Sequence, residues 1–262
     1  MPKALVVGAM GRMGQGVRAA ISKAPRLELG AALEARGHPS VGSSIANGIK
    51  ISDDPKAALF RCDVAIDFTT PAATLQVMRA AAEAEVAYVC GTTGFSDAER
   101  AEIGDLAARI PIVHAPNFSV SVDILSWLTR EAARKLGSGY DAELVEIHHS
   151  EKRDAPSGTS LHLAEAIAAA RGQKLSDHLV LERAGNIGAR PEDAIGIQTV
   201  RGGDIAGEHT VMFVGQGERL ELVHRASTRD HFSRGAVRAA AWLAGREPGL
   251  YPIERVFGLG TD

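Results

Sequence analysis

The sequence predicts an α/β fold: a Rossmann-type doubly wound parallel sheet with a second α+β domain built on an open mixed or antiparallel sheet. Three observations predict it. A short apolar run from Lys3 ends in the turn Gly8-Ala9-Met10-Gly11-Arg12-Met13-Gly14 and passes straight into a helical pattern, the strand-turn-helix order of a βαβ unit. Apolar runs of strand length then alternate with helical stretches as far as His114, which implies parallel strands joined by right-handed crossovers. Beyond Asn117 the alternation gives way to three strand candidates in close succession, at 195–201, 208–214 and 219–226, the grouping of a separate sheet.

In chain order, residues 3–8 suit a strand buried on both faces. Helical spacing follows from Arg12 to Ala24, where Pro25 stops it. Further strands are expected at 27–33, 63–68, 85–90 and 110–114, with helices at 71–84 and 96–109. A long helix over 120–136 ends at Gly137, a strand runs from Asp141 to His148, and a helix spans 157–170. A last helix, 232–245, carries Trp242 and Leu243, which could pack it back onto the first domain.

Composition narrows the class of function. The 262 residues are enough to bury a large core without covalent staples, and the two cysteines, Cys62 and Cys90, sit in apolar runs, so a reducing cytoplasm is the expected location. A formal charge of -3 argues against nucleic acid as a partner. The chain starts without a secretory pattern, and its apolar segments fall short of the roughly 20 residues of a membrane span, so no membrane association is expected.

The glycine turn sits where a dinucleotide fingerprint belongs. Its spacing is Gly-x-x-Gly-x-x-Gly, with Met10 where a second glycine is common. Glu34 lies at the end of the second strand, about 20 residues on, placed to accept hydrogen bonds from a ribose 2′-hydroxyl. A tight β–α turn followed by a surface glutamate would leave the same residues. Loops after three later strands, at 67–71, 91–94 and 115–118, are expected at the same crevice, because open α/β sheets bind ligands at the carboxyl ends of their strands.

The stretch Glu-Ile-His-His-Ser-Glu-Lys-Arg-Asp-Ala-Pro-Ser-Gly-Thr-Ser, residues 146–160, gathers the remaining chemistry. Adjacent His148 and His149 would point to opposite faces of a strand, so no shared metal is expected. Cys90 lacks a partner base, which speaks against a nucleophile. A partly desolvated Lys152 beside histidines is a usable proton donor near neutral pH. Pro156-Ser157-Gly158-Thr159 opens a helix whose free N–H groups and hydroxyls can bind a carboxylate. A charged loop with a capped helix is the competing reading.

With these motifs the sequence resembles the dihydrodipicolinate reductase family. The resemblance rests on Gly-Ala-Met-Gly-Arg-Met-Gly, Asp-Phe-Thr, Gly-Thr-Thr-Gly-Phe, Asn-Phe-Ser-Val, Glu-x-His-His-x-x-Lys-x-Asp-Ala-Pro-Ser-Gly-Thr, and Gly-Asp-Ile-x-Gly-Glu-His-Thr at 203–210, in order along nearly the whole chain. It implies a dinucleotide-binding domain of residues 1–119 and 229–262, and a substrate-binding and oligomerisation domain of residues 120–228, with a hinge near 119 and 228 and a homotetramer joined through the middle-domain sheets. The implied reaction is NAD(P)H-dependent reduction of a cyclic dicarboxylate imine to tetrahydrodipicolinate, in the diaminopimelate route to lysine, with water lost when the hydroxylated form is the substrate.

The resemblance also implies roles. His148 is the acid–base histidine and Lys152 the proton donor; His149, Ser157, Gly158 and Thr159 contact substrate. The cofactor contacts are Gly8, Ala9, Met10, Gly11, Arg12, Met13, Glu34, Gly91, Thr92, Thr93, Ala115, Pro116, Asn117 and Phe118. Some family members carry arginine after the acidic residue of the second strand and after Asp-Phe-Thr, where this chain has Ala35 and Thr70. Both changes remove partners for a 2′-phosphate, so NADH is expected to serve at least as well as NADPH, although Arg36 or Arg12 could restore dual use. Another two-domain dehydrogenase acting on a different carbonyl or imine acid, or a non-catalytic NAD-sensing module, are the alternatives.

Overall fold

The structure is a computed structural model, and it describes residues 1–259. The first elements are β1 (Lys3–Val7), α1 (Arg12–Ile21), β2 (Glu28–Leu33), β3 (Ile51–Ser52), α2 (Pro55–Leu59), β4 (Val64–Asp67), α3 (Pro71–Glu83), β5 (Ala87–Cys90), α4 (Asp97–Ala107) and β6 (Pro111–His114). Then come α5 (Val120–Leu136), β7 (Asp141–His148), α6 (Gly158–Ala170), α7 (Leu175–His178), β8 (Leu179–Val180), β9 (Ile195–Arg201), β10 (Gly207–Val214) and β11 (Arg219–Ala226). The chain closes with α8 (Asp230–Leu243), β12 (Gly249–Tyr251) and α9 (Ile253–Phe257). It divides into two compact units, Met1–Ser119 with Asp230–Asp262, and Val120–Arg229.

In the first unit seven parallel strands run in the order β12-β6-β5-β4-β1-β2-β3. Strands β4 and β5 are buried at every residue, as continuous apolar runs in a sheet covered on both faces should be. The chain order reverses at β1, which pairs with both β2 and β4; that is the switch point where such sheets form a ligand crevice. Helix α8 lies against β4, β5 and α1, and close contact is possible because Gly235 has no Cβ: one placed there would come within 1.6 Å of the Phe118 carbonyl oxygen. Leu243 is fully buried, while Trp242 stacks under Arg246 and meets Tyr251 edge-on. Strands β3 and β12 escape the sequence reading because two or three residues show no period to read.

The second unit holds a five-stranded sheet of order β11-β10-β7-β9-β8. Two strand pairs are antiparallel and two are parallel, so the sheet is mixed rather than largely antiparallel. Helices α5 and α6 pack on one face. Along β7 the burial alternates strictly, and Ala142, Leu144, Glu146 and His148 point inward. Among the described residues, no helix is long and apolar enough to cross a membrane.

Candidate active-site elements

At the switch point of the first unit, backbone geometry makes a cradle. Gly8 has φ 63°, and an added Cβ would lie 2.7 Å from the Thr69 methyl group; at Gly14 a Cβ would lie 2.1 Å from the Gly8 carbonyl oxygen. Only glycine allows this approach. The Gly11 amide closes the turn on Gly8, and Gly11 caps α1 without a side-chain hydrogen bond or an acidic residue in the first turn. The helix start with Arg12 and Met13 is therefore left for an outside anion. Glu34 accepts from the Met10 amide at 2.6 Å, so its carboxylate is fastened to the turn itself. Ala9 is buried, its amide bonded to the Leu33 carbonyl.

The neighbouring loops are held by a buried polar ladder. Asp67 accepts from the Tyr88 hydroxyl at 2.6 Å and, on its other oxygen, from the Thr69 amide and hydroxyl. The Thr69 hydroxyl reaches Thr74, and Thr74 reaches Thr92. Thr92 is thus a buried support of its loop, whereas Thr93 beside it is exposed. Gly91 is packed under the Phe68 ring, 2.0 Å from where a Cβ would sit, and Phe68 meets Phe118 edge-on. Ala115 and Phe118 are buried, Pro116 is exposed, and Asn117 accepts from the Ser119 amide. Burial and the nearby Asp67 push the Cys90 thiol up to about 12, unfit for a nucleophile.

A cleft of about 480 Å³ in this unit is lined by Lys23, Arg26, Arg238 and Trp242 among others. It lies beyond the far end of α1 from the glycine turn and holds none of the expected site residues.

In the second unit the alternation of β7 and its registers assemble a polar cluster. Thr199, Glu146, His209 and His224 form one cross-strand row, and Arg201 and His148 are partners in the next. Glu146 is fully buried. It accepts from the Ser157 amide at 3.1 Å, the Ser160 hydroxyl at 3.0 Å, the Thr199 hydroxyl at 3.1 Å and Arg201 Nη2 at 3.0 Å. Burial alone would raise its carboxyl, but these hydrogen bonds prevail and lower it to about 2.

His148 is 8 % exposed, with Nδ1 3.4 Å from Glu146. A Cβ at Gly207 would come within 3.0 Å of its Nε2. Burial pushes the imidazole below its ordinary value; Glu146 pulls the other way, and Lys152, Arg201 and His149 add to the depression. The His209 ring meets His148 edge-on, and burial lowers it to about 4. His149, one residue past the end of β7, has Nε2 2.9 Å from Arg229 Nη2. Glu146, His148 and His209 bring potential metal-ligand atoms together, but both Glu146 oxygens already accept from protein donors, one of them a guanidinium. That donor set fits an ion-pair network.

The ammonium of Lys152 meets Asp154, with Nζ 2.8 Å from both carboxylate oxygens, and its charge still reaches His148 and adds to the depression there. One expectation changes. Ser157 is buried, caps α6 through the Ser160 amide and touches His209, so its hydroxyl is spent on the helix rather than free for a carboxylate. Gly158 is exposed and Thr159 half-buried at the first two helical positions; their amides remain as the helix's open donors. Glu146, Arg201, His209 and Asp154 were missed as site residues, although Glu146 and His209 lie inside the quoted motifs and β7 alternation puts Glu146 on the His148 face.

The chain is similar to known proteins along nearly its whole length. Family models described as dihydrodipicolinate reductase, N-terminus, and dihydrodipicolinate reductase, C-terminus, match residues 2–118 and 121–257. The chain is 48% identical over 266 aligned residues to a 4-hydroxy-tetrahydrodipicolinate reductase of Geotalea daltonii, covering 99% of this chain and 100% of that one. It is 47% identical to the protein of that name from Anaeromyxobacter dehalogenans, over 99% and 98% of the two chains. A solved dipicolinate-bound dihydrodipicolinate reductase from Paenisporosarcina sp. TG-14 shares the fold, with a TM-score of 0.81 at 24% identity over 97% of this chain and 99% of that one. With both halves matched in order and nearly half the residues identical over the full length of these relatives, the chain belongs to the dihydrodipicolinate reductase family.

Proposed function

We propose that the chain reduces 4-hydroxy-tetrahydrodipicolinate to tetrahydrodipicolinate with a reduced nicotinamide dinucleotide, a step of the diaminopimelate route to lysine. The observation that carries this reading is the 48% identity, over the whole chain, to a relative bearing the reductase's name. The glycine turn fits the cofactor: it closes this tightly only because Gly8 and Gly14 have no Cβ, and the start of α1 is uncapped by any side chain. Gly8 to Met13, Glu34, Gly91 to Thr93 and Ala115 to Phe118 would hold the dinucleotide, with Thr92 acting through its loop; when bound, the nicotinamide supplies a hydride.

The remaining work belongs to the middle unit. Gly158 and Thr159 amides hold a substrate carboxylate at the start of α6, and His149 is assigned a share in substrate binding by the family resemblance. Loss of water from the hydroxylated substrate sets a C=C bond in conjugation with the ring C=N. As a carbon of that conjugated system gains the hydride, Lys152 Nζ supplies the proton that completes the reduction, and His148 orients and polarises that transfer. Asp154 holds the Lys152 side chain in place through both of its carboxylate oxygens.

Glu34 on the turn and the absence of arginine at Ala35 and Thr70 support NADH serving at least as well as NADPH. The test is an assay supplying freshly formed substrate with each cofactor. Oxidation of neither would sink the functional reading, and a roughly tenfold preference for NADPH in kcat/KM would sink only the cofactor preference. A homotetramer is supported by the open face of the second sheet, where Val200, Val214 and Val223 are 44%, 37% and 46% exposed. Light scattering that returned a monomer would remove that part.

A further inference from the structure

Three segments assigned above to the reaction meet at one side chain. Glu146 receives the Ser157 amide, which begins α6 and its carboxylate-binding amides. It receives Arg201 Nη2, and that same nitrogen donates to the Asp154 carbonyl at 2.6 Å. Asp154 in turn grips Lys152. Glu146 also lies 3.4 Å from His148 Nδ1, a contact long for a hydrogen bond. Contacts of this kind around catalytic groups commonly tighten only when substrate is bound.

A carboxylate needed only to anchor a helix start could do so without touching His148. Here the same oxygen that accepts from Ser157 and Ser160 faces the imidazole, and Gly207 leaves room for the ring on the other side. A buried carboxylate facing Nδ1 favours the tautomer with its proton on Nδ1, freeing Nε2, and stabilises the imidazolium if it forms.

We propose that Glu146 is a positioning residue of the reduction: it fixes His148 through Nδ1 and, through Ser157 and Arg201, sets the carboxylate cradle and the Lys152 loop in one arrangement. This rests on His148 and Lys152 being the reacting groups.

The test uses the full-length chain with Glu146→Gln and Glu146→Asp. Four quantities are read: kcat and KM, NADH affinity by fluorescence, thermal midpoint, and the His148 ring by ¹⁵N NMR across pH. Glu146→Gln is expected to lower kcat by roughly 10²-fold, the low end of acid–base contributions, with NADH affinity unchanged. The His148 titration should move to lower pH, since Glu146 opposes the depression caused by burial, Lys152, Arg201 and His149, and the Nδ1–H tautomer should lose its preference. A folded Gln variant with wild-type kcat and a wild-type His148 titration overturns the proposal. If that variant does not fold, Glu146→Asp decides, because it keeps the charge but withdraws it from the ring. An intermediate kcat loss with a shifted titration supports the proposal, and wild-type values for both overturn it. Full activity in both Lys152→Met and His148→Gln would instead show that the underlying functional reading has failed.

Discussion

The glycine turn of the first unit, proposed to hold the dinucleotide, and the polar rows of the second, proposed to order the reacting side chains, gain that capacity by opposite means. At the turn, capacity comes from missing atoms: without side chains at Gly8 and Gly14 the backbone closes on itself, and the start of α1 stays open. In the rows, it comes from buried charge held by reciprocal bonds, Glu146 with Arg201, Ser157, Ser160 and Thr199. A site made of backbone is damaged by adding an atom. A site made of a buried network is damaged by removing one.

The largest effect should come from the second kind. Lys152→Met deletes the proposed proton donor and leaves Asp154 without its partner, so kcat should fall by about 10² to 10⁴ with NADH affinity preserved. Stopped-flow turnover beside fluorescence titration measures both. Unchanged turnover would remove Lys152 from the reaction. Next, Gly14→Ala adds a methyl group 2.1 Å from a carbonyl oxygen; the turn must shift, and kcat/KM for NADH should drop on the order of 10²-fold, as misplacements near 1 Å do. If NADH binds that variant normally, the turn is packing rather than cradle.

The same contrast explains how much could be read beforehand. Glycine positions in a strand-turn-helix context carry their steric reason within seven residues, and the continuous apolar strands of the first sheet announce themselves. The polar rows depend on register. Glu146 meets Thr199 across one edge of β7 and His209 across the other, partners about fifty residues or more away that no local pattern links. Alternation on β7 put Glu146 and His148 on one face but could not show that the face was buried. Ser157 illustrates the cost: its place at a helix start suggested a free hydroxyl, and only the fold reveals that His209 and Ser160 occupy it. Asp154, two residues from Lys152, was within reach of local reasoning and was passed over for the histidines.

Acid should expose the buried network before the glycine turn. His209 is held neutral down to about 4 from an ordinary 6.5, so the unfolded chain binds that proton first, and stability is lost as pH falls from 6.5 towards 4. Glu146, lowered to about 2 from 4.5, adds a second loss as pH falls from 4.5 towards 2. Each difference corresponds to about 3 kcal/mol at its full extent. Urea unfolding followed from pH 7 to 4.5 should show the first window, and His209→Gln should flatten it. An equally steep slope in that variant would assign the effect elsewhere.

The smallest effect tests whether the first unit has a buried network of its own. Tyr88 is fully buried and donates to Asp67 at 2.6 Å, while the other Asp67 oxygen keeps the Thr69 amide and hydroxyl. Tyr88→Phe removes one donor from a carboxyl group that retains two, so the loss should be about 1 to 2 kcal/mol, within the range for a buried group losing a partner. Through Thr69, Thr74 and Thr92 the ladder also holds the loop at Gly91 to Thr93. A modest rise in KM for NADH should therefore accompany the stability loss while kcat stays near wild type. A stability loss with unchanged KM would confine the ladder to the core.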